Sequence, residues 1–109
     1  MMKVLVKGIS ASIGKARGKA RIIQPGRGQK LKPGEILVAR ITDASMFVDI
    51  IGNARAIITD IGGQSSHPAI VSRELGIPCV VATNKATKVI KTGMEIIVDG
   101  DKGVVYESD

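Results

Sequence analysis

The chain has 109 residues, 44% of them apolar, with one Phe, one Tyr and no Trp, so its core must be aliphatic. That length supports one domain over residues 1–109. Its net charge of +6 is uneven: residues 1–40 carry ten Lys or Arg against Glu35 alone, while residues 41–109 carry six against nine acidic residues, and the single Cys excludes an intramolecular disulfide.

In chain order, "KVLVKGIS" alternates and reads as a first strand. The N-terminus lacks the apolar region of a secretory signal, and no later run could span a membrane. A cytoplasmic protein with no membrane partner is expected. "GKARGKARII" alternates cationic with small or apolar residues, as a strand with one wet face does. The basic half could attract nucleotides, phosphates or nucleic acid, or simply face water. Two aromatic residues cannot build a base-stacking platform, so nucleic acid is not an expected partner.

"PGRGQKLKPGE" has the Pro and Gly density of a turn region, and "EILVAR" reads as a strand. "TDASMFVDIIGN" predicts a short helix, capped by Thr42 or Asp43, with Phe47, Ile50 and Ile51 on one face and Gly52 or Asn53 at its end. "ARAIITD" is a continuous apolar run, expected as a buried strand. After the loop "IGGQSS", a helix is predicted from about Pro68 to Leu75, stopped by Gly76. "IPCVVA" is a further buried strand, which makes Cys79 a small buried hydrophobe rather than a reactive thiol. "TNKATKVIKTG" predicts a helical turn, and "EIIVDG" with "GVVYE" predicts a closing hairpin around "DGDKG".

The one histidine, His67, falls between a glycine loop and a helix. Proline is favoured at the first helical position, so Pro68 places His67 at the cap, with the amides of Ala69 and Ile70 as free donors beside its ring. Such a helix mouth favours anions. Gly62 and Gly63 let backbone approach a ligand, and Ser65 and Ser66 offer hydroxyls. A free imidazole is largely neutral at pH 7 and can attack and carry a phosphoryl group without a partner base. A structural capping histidine is the competing reading.

Other chemistries fit less well. One His and one buried Cys do not make a zinc site, so no metal is expected. Ser65 and Ser66 lie too close in sequence to His67 for a nucleophilic triad, and Asp60 has no visible reason to orient the ring. The glycine stretch does not end in Gly-Lys-Ser/Thr, so it is not a nucleotide P-loop.

"TDIGGQSSHPAIVSRELGIPCVV" resembles the phosphohistidine segment of the phosphoenolpyruvate-utilising enzymes, a family that includes phosphoenolpyruvate synthase and pyruvate phosphate dikinase. The likeness continues in "GISASIGKARGKARII", "LKPGEILVARITDASMF" and "IKTGMEIIVDGDKGVVY". It implies an α/β fold, a swivelling phosphohistidine domain of three layers, β/β/α. It also implies a carrier role for His67, with Gly62, Gly63, Ser65, Ser66 and Arg73 at matching positions around it. Arg73, six residues beyond His67, would serve the phosphate, the helix or a partner surface.

The chain departs from the family pattern at Ser65 for Thr, Pro68 for Ala and Ala82 for Gly. It is also too short for the nucleotide-grasp (ATP-grasp) domain and the phosphoenolpyruvate/pyruvate-binding barrel. The resemblance therefore implies that ATP and Mg bind partner domains or proteins, with no cofactor bound directly. A regulatory or binding module that keeps the fold without catalysis is the alternative.

Overall fold

A computed structural model describes residues 2–24, 27–46 and 50–108. Eight strands form a mixed sheet. They are β1 (Lys3–Lys7), β2 (Ile9–Ser12), β3 (Lys15–Ile22), β4 (Ile36–Ala39), β5 (Ala56–Thr59), β6 (Cys79–Val81), β7 (Glu95–Asp99) and β8 (Val104–Glu107). Two helices accompany them, α1 (His67–Leu75) and the single turn α2 (Ala86–Val89). The strand order is β1-β8-β7-β3-β4-β5-β6-β2. β3 to β6 run parallel to one another, and every other pairing is antiparallel.

The layering follows from strand alternation. β4, β5 and β6 are buried on both faces, as parallel strands flanked by other layers must be. Ile36, Val38, Ile58 and Val80 face one way, into a core with Ile96, Val98, Val105 and Val6 from the antiparallel half of the sheet. Leu37, Ala39, Ile57, Cys79 and Val81 face the other way, into a second core with Ala69 and Val71 of α1. The sheet is thus folded over itself, with α1 on the far side of the parallel half, in the expected β/β/α order. Each fully buried Ile, Leu or Val contributes about 1.5–3 kcal/mol, so the two aliphatic cores hold the layers without aromatic residues.

The expected first strand is divided. β1 pairs with β8 at one end of the sheet and β2 with β6 at the other. Gly8 lies between them, where the chain passes from one layer to the next. A Cβ there would run into the carbonyl oxygen of Val81, so only glycine allows this close crossing.

The helix expected over 42–53 is replaced by two 3-10 turns, Ala44–Met46 and Ile51–Asn53. Phe47, assigned to one face of that helix, lies outside the described residues. Asp43 does cap locally, with Oδ1 accepting the Ser45 N–H at 2.9 Å. Asn53 donates from its side chain to the Leu31 carbonyl at 2.8 Å, which ties this segment to the preceding loop rather than closing a helix. The other expected elements are present, including the β7–β8 hairpin and the left-handed stop of α1 at Gly76, φ 71°.

Candidate functional site

Thr42 and His67 meet beyond the carboxyl ends of β4 and β5, where open α/β sheets place their ligands. Their side chains join Thr42 Oγ1 and His67 Nδ1 at 2.8 Å. Thr42 is buried and the imidazole is half-buried. Among the described residues nothing hydrogen-bonds Nε2, so one ring nitrogen is held and the other is open.

The helix begins one residue earlier than expected. Ser66 is the cap, in extended conformation (φ −74°, ψ 159°), and His67 is the first helical residue, with Pro68 second. Pro68 remains within the first turn, where its missing N–H costs nothing. The shift also changes which amides are free. Ile70 donates to the Ser66 carbonyl at 3.0 Å, so the open donors of the first turn are those of His67 and Ala69.

Ser66 does not cap with its side chain. Its hydroxyl turns back to the Gly63 carbonyl at 2.7 Å, and its N–H reaches the same oxygen at 3.1 Å, which folds residues 63–66 into a tight turn. Gly62 has φ 124°, and a Cβ there would lie 2.9 Å from Ser66 Oγ, so residue 62 must be glycine for this turn to close. Gly63 has open space around it, and Ser65 is exposed.

Arg73 is a brace. One guanidinium nitrogen donates to the Ala11 carbonyl at 3.0 Å and the Gln64 side-chain oxygen at 3.2 Å, and the other to the Gln64 carbonyl at 2.6 Å. Gln64 in turn donates to the Ser10 carbonyl at 2.7 Å. Together they fasten the histidine loop to β2, the last strand of the sheet. Asp60 is also committed elsewhere, since its carboxylate accepts the Thr87 N–H at 2.9 Å and the Thr87 hydroxyl. It does not orient the ring.

Hydrogen bonds from the Ser45 hydroxyl and N–H hold the Asp43 carboxyl below the usual carboxylate value. Cys79 is buried under α1, and burial raises its thiol from 9.0 to about 11, offset in part by Ser72 and Arg73. A thiol so far above neutral pH is not a nucleophile. The Ser72 hydroxyl beside it makes no hydrogen bond of good geometry. No three His, Cys, Asp or Glu residues come together among the described residues.

Thr42 was visible in the sequence only as a candidate helix cap. Its position just past an apolar strand that precedes the histidine loop is the signal that marks it as a site residue. The bracing by Gln64 and β2 carbonyls left no such signal, because it depends on β2 lying at the sheet's end.

Fold and site together define a class: a three-layer α/β domain presenting one histidine, anchored through a single nitrogen, at the mouth of a helix. The signature of the "PEP-utilising enzyme, mobile domain" family matches residues 31–103, and the chain belongs to that family. It is 52% identical over 108 residues to a probable phosphoenolpyruvate synthase of Staphylothermus marinus, covering 96% of this chain and 13% of that one. It is 50% identical over 106 residues to the phosphoenolpyruvate synthase of Pyrococcus furiosus, again covering 96% and 13%. The chain therefore spans about an eighth of the length of these relatives. Among solved structures it is similar to an Enzyme I protein, with a TM-score of 0.63 and 34% identity over 72% of this chain and 33% of that one.

Proposed function

We propose that this domain is a phosphoryl carrier, in which His67 Nε2 accepts a phosphoryl group at one partner site and delivers it at another. The observation that carries this reading is the one-sided anchoring of the ring by Thr42, which leaves Nε2 without a hydrogen-bond partner among the described residues.

The chemistry follows from the tautomer that this contact permits. With Nδ1–H donating to Thr42 Oγ1, the Nε2 lone pair is free. Nε2 attacks phosphorus, the Nε2–P bond forms, and the bond from phosphorus to the donor's bridging oxygen breaks. That oxygen leaves with the electron pair. Nδ1 keeps its proton throughout, so no general base is needed. The free amides of His67 and Ala69 and the positive end of α1 favour the arriving negative charge. Arg73 acts through Gln64 to hold the loop in shape, rather than by touching the phosphoryl group.

The donor and acceptor sites belong to partners: a nucleotide-grasp (ATP-grasp) domain or protein using ATP and Mg, and one that binds phosphoenolpyruvate or pyruvate. The names of the relatives support this reading, since the whole enzymes are called phosphoenolpyruvate synthases. The test is transfer of label from ATP or phosphoenolpyruvate by a complete synthase whose own carrier histidine has been replaced. This chain should take up label that is acid-labile and base-stable, and His67→Ala should take up none. Equal labelling of His67→Ala would overturn the carrier assignment. No labelling of the wild type by either donor would leave a binding or regulatory module.

A further inference from the structure

The antiparallel half of the sheet turns one face to the inner core, and its other face has no covering layer among the described residues. Alternation and register show what that outer face carries. Arg17 sits opposite Ile97, Ile97 opposite Tyr106, and Tyr106 opposite Val4, which makes one row across four strands. The next row places Lys15 opposite Asp99, Asp99 opposite Val104, and Val104 opposite Lys7. Lys19 sits opposite Glu95 at the other side.

Lys7, Lys15, Arg17 and Lys19 are exposed, Ile97, Val104 and Tyr106 are half-buried, and Val4 is 45% exposed. The face therefore has an aliphatic and tyrosine centre with a cationic rim. Its two carboxylates, Glu95 and Asp99, offset the four cations only in part. Glu95 pairs with Arg17 at 3.4 Å, and Asp99 is buried and accepts the N–H groups of Asp101 and Lys102 in its own hairpin turn.

We propose that this outer face is a docking surface for an acidic patch on the protein or domain with which the carrier exchanges its phosphoryl group. An apolar centre with a polar rim that includes Tyr and Arg is the anatomy of a protein interface, whereas a merely solvated strand face has no aliphatic centre. Charge complementarity selects the partner's sign. A nucleic acid fits less well, because Tyr106 is the only ring on the face and Glu95 lies within the row of cations. The face lies on the opposite outer layer from α1, so a partner held there leaves the His67 loop free to present its ring. The inference rests on the carrier reading only for the partner's identity, not for the existence of the surface.

The experiment uses Pyrococcus furiosus phosphoenolpyruvate synthase with its carrier histidine replaced as the partner. Binding is measured calorimetrically and labelling kinetically, each at low and high salt. The K15E/R17E/K19E variant should bind about tenfold or more weakly at low salt and show a KM raised to match, with kcat within about twofold of wild type, because such rim charges act on encounter. The difference should shrink at high salt. K30E/K91E, two reversals elsewhere on the surface, should change neither. Circular dichroism establishes that the triple variant is folded.

A folded triple variant with unchanged affinity and KM would overturn the surface proposal while leaving the carrier assignment standing. Salt-dependent binding lost in the triple variant, with no labelling of the wild type, would do the reverse. Absence of binding and labelling would overturn both. Binding of single-stranded RNA in preference to the synthase, lost in the triple variant, would replace the acidic protein as the occupant.

Discussion

The contact between Thr42 Oγ1 and His67 Nδ1 decides what the imidazole can do. An untethered ring at a helix mouth would rotate and expose either nitrogen. The 2.8 Å contact at Nδ1 holds the ring, and with Thr42 Oγ1 accepting from Nδ1–H the Nε2 lone pair is left free. In the proposed carrier, Thr42 is a positioning residue, since it touches the imidazole and not the phosphoryl group. Thr42→Val keeps the shape of the buried side chain and removes the hydroxyl. Its phosphorylation by the partner synthase should slow by about 10- to 100-fold, the usual cost of a misplaced reacting group. Thr42→Ser should recover most of the rate. Two-dimensional NMR of the ring nitrogens provides a readout that packing alone would not move, because the variant should lose the single-tautomer signature. A Thr42→Val protein with unaltered rate and tautomer would refute the positioning role.

At the scale of elements, the segment after β6 shows what strand pairing can demand of the backbone. Thr83 and Asn84 donate their amides to the carbonyls of Thr59 and Asp60 at 3.2 and 2.9 Å, which brings 83–84 against the end of β5. The bend is made by left-handed residues at Ala82 (φ 57°) and Asn84 (φ 68°). Asn tolerates that conformation and Ala does not, at a cost of about 1 kcal/mol. Ala82→Gly should therefore stabilise the domain by roughly 1 kcal/mol, read as a higher urea midpoint with unchanged slope. A lower midpoint would show that the Ala82 methyl contributes more in packing than its backbone costs.

The sequence marks Ala82 only as a departure from a glycine pattern, because a left-handed φ depends on where the next two amides must go. The same distinction runs through the fold. β3 to β8 and α1 were legible because their apolar patterns and turn residues are local. The break at Gly8 and the 3-10 turns at Ala44–Met46 and Ile51–Asn53 were not, because they arise from Val81 and Leu31, remote in sequence. The placement of His67 between a glycine loop and a helix was legible. The one-residue shift of the cap to Ser66 was not, because Pro68 is as well accommodated at the second helical position as at the first.

For the whole molecule, β3 is the strand that joins the two halves, pairing antiparallel with β7 and parallel with β4. Arg21, near its end, grips Glu35 through two hydrogen bonds, Nε–Oε1 at 2.8 Å and Nη2–Oε2 at 3.0 Å, just before β4 begins. Glu35 Oε1 also accepts the Lys32 N–H at 2.7 Å, and its backbone carbonyl accepts the Arg55 N–H at 2.9 Å. The clasp therefore sets the register at which the parallel half grows from the antiparallel one. The Arg21 hydrogen bond lowers the carboxyl of Glu35 below its ordinary 4.5, against a smaller opposing effect of burial. A carboxylate lowered in the folded state stabilises the fold fully above its unfolded value. That stability is lost as pH falls through the lower folded value.

With both side chains partly accessible, the clasp contributes about 1 kcal/mol. Glu35→Gln should thus be less stable than wild type by about that amount at neutral pH. The gap should hold down to about pH 4.5 and close below it, where wild-type Glu35 takes up its proton. Urea unfolding of the two proteins across that range measures the gap. A difference that stays constant into acid would show that residue 35 acts through shape and backbone bonds, with no share for its charge.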